Sequence, residues 1–327
     1  MSSYPDARRR QRARIFLIPV LWVAMSILGF AQDGGIRLAA IPEDPRPGDP
    51  VTVGLAMMAA TARDTNLRVV LLNAQGQRLS RASFFNLTTD KDGTSLMAAI
   101  LAVPSTARPG SAVISVESGS GSMGTMNITI GSRDFVSEEI ALDQDNTNLR
   151  TLPDPKKTAE ANTLWAILSR TGTEVYTAES FKSPVTSTRR TSFFGDRRVF
   201  KYVDGSRDTS IHAGIDYGVP TGTEVRACAP GKVVLARSRI VTGNSVIIEH
   251  LPGVYSLYYH LDKIAVSEGS LVLGGDLVGQ SGSTGLATGP HLHWEIRVAG
   301  ENTDPDACVA HAILDKDAIV SKLIPVH

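Results

Sequence analysis

Three short stretches of this 327-residue chain hold histidines and a carboxylate at spacings that could serve one reaction centre. In His212-Ala213-Gly214-Ile215-Asp216 an imidazole and a carboxylate flank a glycine-containing bend. Imidazole nitrogen and carboxylate oxygen are both good zinc donors, and across a bend they can converge on one cation. A surface histidine beside a turn aspartate has the same spelling. In His291-Leu292-His293-Trp294-Glu295-Ile296 the β-rich residues after Pro290 predict a strand. Strand side chains alternate faces, so His291 and His293 point the same way, about 7 Å apart along the chain. One could ligate a metal while the other handles a proton, with Leu292 and Trp294 facing a buried side. A pair of exposed strand histidines would read identically. The third stretch, Tyr255-Ser256-Leu257-Tyr258-Tyr259-His260, predicts a strand whose last residue emerges where a loop begins, and strand ends commonly carry site residues. His250, His311 and His327 match no site pattern and read as structural.

The elements around these stretches are mostly strands. From about residue 36 to 130, short apolar-alternating runs such as Val51-Thr52-Val53-Gly54-Leu55 and Met126-Asn127-Ile128-Thr129-Ile130 are punctuated by turn residues such as Pro109-Gly110-Ser111. Their number and spacing predict a β-sandwich of immunoglobulin type over 33–131. A polar connector follows over 132–183. Within it Thr158 to Leu168 predicts a short helix, capped by Thr158 after Pro153 and Pro155, with Ala161, Leu164, Trp165 and Leu168 as a packing stripe. From Pro184 the pattern returns to strands and glycine turns, giving a second unit over 184–310 and a C-terminal tail over 311–327. The fold class is therefore all-β.

Length and composition suit two domains, with 42% apolar and 20% charged residues. The formal net charge is zero, and there is no basic face to suggest nucleic acid as a partner. Arginines at 8, 9, 10, 12 and 14 precede an apolar run from Ile15 to Ala31, which reads as an export signal over 1–31 ending in Gly29-Phe30-Ala31. An uncleaved anchor tethering the chain to a membrane is the alternative. Both place the rest of the chain outside the cytoplasm. The two cysteines, Cys228 and Cys308, could pair there or remain separate buried thiols.

Taken together, these blocks resemble the lysostaphin-like (LytM-type) zinc metallopeptidases over about residues 184–305. The resemblance runs from Phe194-Gly195-Asp196-Arg197-Arg198 through His212-Ala213-Gly214-Ile215-Asp216-Tyr217-Gly218, Gly243-Asn244-Ser245 and Tyr259-His260-Leu261 to Gly282-Ser283-Thr284-Gly285 and Pro290-His291-Leu292-His293-Trp294-Glu295. It implies an antiparallel β scaffold of the duplicated hybrid type with its site in a groove. It also implies one zinc ion held by His212, Asp216 and His293, with His260 and His291 as unligated imidazoles beside it. The implied activity is zinc-dependent hydrolysis of peptide bonds in peptidoglycan, in the periplasm or cell envelope of a bacterium. Histidine titrates in the range that base and acid steps need. His291 is read as general base and His260 as transition-state stabiliser, while Asn244 and Tyr258 are candidates to line the groove or to serve core and turn roles. The competing reading is a non-catalytic cell-wall-binding regulator, a class whose members lack some of the zinc ligands, whereas this chain has all three and both further histidines.

Overall fold

A computed structural model describes residues 35–58, 66–89 and 93–324. The predicted export segment and His327 lie outside these residues. Among the described residues no helix is long and apolar enough to cross a membrane.

The chain is mostly antiparallel β. Its N-terminal half forms two four-stranded sheets. One runs in the order Ile36–Ile41, Pro50–Met58, Thr94–Ala102, Phe85–Thr89, the other Arg78–Ser83, Arg68–Asn73, Gly110–Ser118, Gly121–Ile130. Val53, Leu55, Val69, Leu71, Ile114 and Val116 fill the space between them. The first sheet is also buried on its other face, where Ala56, Leu96, Ala98, Ile100 and Ala102 join the core of the C-terminal unit. That double burial explains why Leu96-Met97-Ala98-Ala99-Ile100-Leu101-Ala102 is nearly continuously apolar instead of alternating. The C-terminal helix Lys316–Leu323 seals the contact through Ile319 and Leu323. Gly54 is needed beneath it, since a Cβ there would come within 2.5 Å of the Ile319 side chain.

The C-terminal half is built on a ten-stranded sheet. Its central path runs through Arg190–Ser192, Ile215–Tyr217, Leu292–Val298, Val254–Ile264, Gly243–Leu251 and Gly231–Arg239. Strand alternation gives the sheet two chemically different faces. Ile215, Tyr217, Leu292, Trp294, Ile296, Tyr258 and Leu261 point into the main core. The opposite face carries Leu235, Ile247, Tyr255, Leu257 and Tyr259, covered by a helix over Pro155–Leu168.

That helix starts three residues earlier than the sequence suggests. Asp154 is the cap, its side chain accepting from Lys156 N at 2.7 Å, and Pro155 occupies the first turn. Proline is favoured there because its fixed φ suits the helix and its missing N–H would have no partner. The packing stripe also shifts: Leu164, Ile167 and Leu168 meet the sheet, whereas Trp165 is 62% exposed.

The connector contains a second helix, Gln144–Thr151, capped by Asp143. Arg150 ties it down, with its guanidinium 4.1 Å over the Phe200 ring and donating to Tyr202 Oη and Asp208 at 2.8 Å each. Just before it, Ser137–Ala141 adds a parallel strand to the hairpin of Arg197–Lys201 and Arg207–Ile211. Cys228 and Cys308 are separate, buried thiols.

Candidate metal centre

Adjacent strands bring the predicted residues into one row. Asp216 lies opposite His293, and His293 lies opposite Tyr259, in register across three neighbouring strands. The alternation that sends Ile215, Tyr217, Leu292 and Trp294 into the core turns Asp216 and His293 to the other face. His212 arrives from the bend before Asp216. Gly214 lets the bend pass tightly over the neighbouring strand, because a Cβ there would sit 2.1 Å from the Trp294 carbonyl oxygen. His291 stands just before its strand, bridged to Gly282.

His260 reaches the site by a different route. It does not end its strand, which continues to Ile264. A register shift lies between Tyr258 and Leu261, and His260 has φ of +60°. Unbroken alternation would pair His260 with Tyr258 on the core side. The bulge instead places its ring 4.7 Å from His291 and 6.1 Å from His293, centroid to centroid. Re-aiming one side chain is a recognised use of such irregularities. Thr284 holds the ring, its carbonyl accepting from His260 Nδ1 at 2.7 Å.

The ligating atoms of His212, Asp216 and His293 lie within 4.8 Å of one another, the one such trio among the described residues. His212 donates Nδ1–H to the Phe193 carbonyl at 2.8 Å, which leaves Nε2 bare. His293 donates Nε2–H to Glu295 at 2.9 Å, which leaves Nδ1 inward. These two inward nitrogens are 3.0 Å apart, and each is close to Asp216 Oδ1, at 3.2 and 2.7 Å. Three acceptors therefore face one another inside a buried pocket. Only a shared proton or a cation reconciles them. Two imidazole nitrogens and a carboxylate oxygen, with the distal N–H groups held by a carbonyl and a carboxylate, are a donor set that fits zinc with an open position.

The electrostatics agree with that balance. Burial opposes the charge on His293, but Asp216 and Glu295 together outweigh it and push its pKa up to about 9. Burial likewise opposes ionisation of Asp216, yet the His293 and His212 imidazoles hold it well below the ordinary carboxylate range. The flanking histidines go the other way. Burial, reinforced by His291 and His293, pushes His260 down to about 3, and burial also lowers His291.

Outside the trio, Arg198 donates to the second oxygen of Asp216 at 2.7 Å and to Glu138 of the connector at 2.6 Å. Glu295 also accepts from Arg297, two residues along its own strand, at 2.8 Å. Sequence reasoning gave no role to Arg198, Glu138 or Glu295. The same alternation that joins His291 to His293 would have put Glu295 on the site face, whereas Glu138 carries no local signal. Tyr258 does not line the site: it is wholly buried on the core face, where its hydroxyl accepts from Cys228 N at 2.9 Å. Asn244 lies in the strand Gly243–Leu251, where its side chain donates to the Asp262 carbonyl of the neighbouring strand at 3.0 Å. His250 is fully buried and structural, bound to Pro230 O and Ser256 Oγ at 2.7 Å each.

Residues 210–305 match the model of Peptidase family M23. A DD-carboxypeptidase/endopeptidase, Mpg, of Neisseria meningitidis serogroup B is 46% identical over 95 residues, covering 29% of this chain and 22% of that protein. The peptidoglycan DD-endopeptidase ShyA of Vibrio cholerae is 40% identical over 112 residues, covering 34% and 25% respectively. The matched stretch is thus about a quarter of these relatives' length. In fold, the chain is similar to the crystal structure of a Pseudomonas aeruginosa protein described as a peptidase M23, with a TM-score of 0.54, 24% identity, and coverage of 82% of this chain and 95% of that one.

Proposed function

We propose, from the premise that residues 210–305 form a domain of Peptidase family M23, that the chain is an exported zinc metalloendopeptidase hydrolysing peptide bonds in peptidoglycan stems or cross-links. The observation that carries this reading is the convergence of His212 Nε2, Asp216 Oδ1 and His293 Nδ1 with each distal imidazole N–H already held. These three residues would hold one zinc ion per chain. When bound, zinc supplies Lewis-acid polarisation of the scissile carbonyl and acidifies the attacking water.

The remaining chemistry falls to the flanking histidines. His291 donates Nδ1–H to the Gly289 carbonyl at 2.8 Å, so its free Nε2, 3.8 Å from Asp216 Oδ1, is the acceptor that takes the water's proton. Its lowered pKa keeps it neutral, and so able to accept, near pH 7. His260, fixed by Thr284, stabilises the transition state. Its Nδ1–H is held by the Thr284 carbonyl, so the neutral ring presents a bare Nε2, which takes up a proton before it donates to the developing oxyanion. The substrate assignment draws on the names carried by the Neisseria and Vibrio relatives, and export on the arginine-led apolar N-terminus. In this reading residues 184–310 are the catalytic unit, and 33–131 and 132–183 are the sandwich and connector.

Incubating the metal-loaded full chain with purified sacculi should release new amine termini. Their absence with intact, zinc-containing protein would contradict the proposal.

A further inference from the structure

The sandwich and the catalytic sheet enclose a second groove, of about 300 Å³, whose chemistry the peptidase site does not use. Three guanidinium groups line it: Arg68 and Arg81 from the sandwich, and Arg170 just past the helix Pro155–Leu168. None of the three makes an ion pair, and no acidic side chain lines the groove among the described residues. Arg68 pairs with Ser83 and Arg81 with Val70 on adjacent strands, which places the two arginines diagonally on one face. Like charges so placed repel. The C-terminal dipole of the helix accounts for Arg170, and Arg68 lies opposite Glu117 on its other neighbouring strand, whereas the strand residue opposite Arg81 is the apolar Val70.

Trp165 forms the fourth wall. It is the one tryptophan exposed among the described residues, Trp294 being fully buried. The helix end that carries the ring is anchored. Leu168 below it packs in the sheet's core cluster, and Tyr255 Oη donates to the Arg170 carbonyl at 2.9 Å. One ring edge rests against the turn at Ala299-Gly300, 3.4 Å from where a Gly300 Cβ would lie, and the rest of the ring remains open. Both turn residues have positive φ, at 51° and 85°, and Ala299 takes that conformation without glycine's freedom.

We propose that this groove binds a carboxylate-bearing glycan strand. The tryptophan offers a flat, rigid apolar surface for a sugar ring, and the arginine forks suit carboxylates. This inference rests on the peptidoglycan reading above and gives the sandwich a task. Trp165 lies over the same sheet face as His293, and the strand Leu292–Val298 links the two places. Five strand steps run from His293 to Val298, about 17 Å at strand rise, and the turn Ala299-Gly300 follows. A strand of glycan held in the groove would carry its peptides toward the metal centre.

The test uses the full chain with His291→Ala, to prevent turnover, and four probes: purified sacculi, sacculi whose carboxyl groups have been amidated, peptide-free glycan strands, and soluble polyglutamate. Co-sedimentation with native sacculi should fall at least tenfold when Arg68→Gln, Arg81→Gln and Trp165→Ala are combined, and also when the sacculi are amidated. Peptide-free glycan strands should shield the protein's fluorescence from acrylamide in the parent and not in the Trp165→Phe variant. Polyglutamate should bind at least tenfold more weakly than sacculi. Equal sedimentation of parent and triple variant, or of native and amidated sacculi, would overturn the proposal. Polyglutamate binding as strong as sacculi would reduce the groove to a general anion site and likewise overturn it. With His291 restored, the triple variant should still cleave soluble cross-linked muropeptides at the parent rate. Failure of the parent to cleave them would sink the peptidase reading while leaving the binding result standing.

Discussion

Replacing Glu295 by Gln removes one negative charge beside the metal centre with almost no change of shape. Glu295 accepts from His293 Nε2 at 2.9 Å and from Arg297 Nε at 2.8 Å, and it is nearly inaccessible to water. Its carboxylate fixes the tautomer that turns His293 Nδ1 toward Asp216 and raises that nitrogen's basicity. Loss of such an outer partner typically costs about 10- to 100-fold in metal affinity. Because no solvent can replace the carboxylate here, the upper end is expected, about 100-fold or about 2.7 kcal/mol. The same change strips Arg297 of its closest counter-charge, and a hydrogen bond to a charged group contributes about 1.5–3 kcal/mol. Thermal stability should therefore fall too. The decisive assay is zinc competition against a chromogenic chelator, performed well below the unfolding temperature of the variant. A zinc affinity within threefold of the parent, in a folded protein, would refute the role given to Glu295.

Glu138→Gln should weaken zinc binding about tenfold through Arg198 and Asp216, with Glu138→Asp recovering part of it; chelator competition reads this, and an unchanged affinity would detach the connector from the site. His291→Ala should abolish turnover while retaining zinc, read by metal analysis beside product release from sacculi; persistent activity would reassign the base. His250 is wholly buried and its pKa is pushed down by burial to about 4, against about 6.5 unfolded. Because its folded pKa is depressed, the stability it contributes is fully present above pH 6.5 and is lost as the pH falls through 4, amounting to about 3 kcal/mol across that window. Urea unfolding of the parent and His250→Gln at pH 7 and 4.5 should show a smaller loss in the variant, and parallel losses would contradict the assignment.

Much of the site was legible in the sequence because strand parity is a local rule. It reads His291 and His293 on one face, Leu292 and Trp294 on the other, and the structure obeys it. His260 shows where the rule stops. Its position depends on a bulge and a positive φ held by Thr284 and Thr242, neighbours distant in sequence. Glu138 depends on a parallel pairing between the connector and the strand Arg197–Lys201, which no local periodicity announces. The helix Gln144–Thr151 has no apolar stripe to announce it and is held by its Asp143 cap and by Arg150. The apolar stripe announces the helix Pro155–Leu168 but not its start, because a proline inside the first turn helps a helix instead of breaking it.

In the proposed function His212, Asp216 and His293 form an open, three-ligand zinc centre. X-ray absorption at the zinc edge of the full chain, loaded with one equivalent of metal, tests this most directly. The expected spectrum shows two imidazole nitrogens and one carboxylate oxygen from the protein, the remaining coordination filled by exchangeable water, and loss of the site in His293→Ala. A closed shell of four protein ligands, or an unchanged spectrum in that variant, would contradict it.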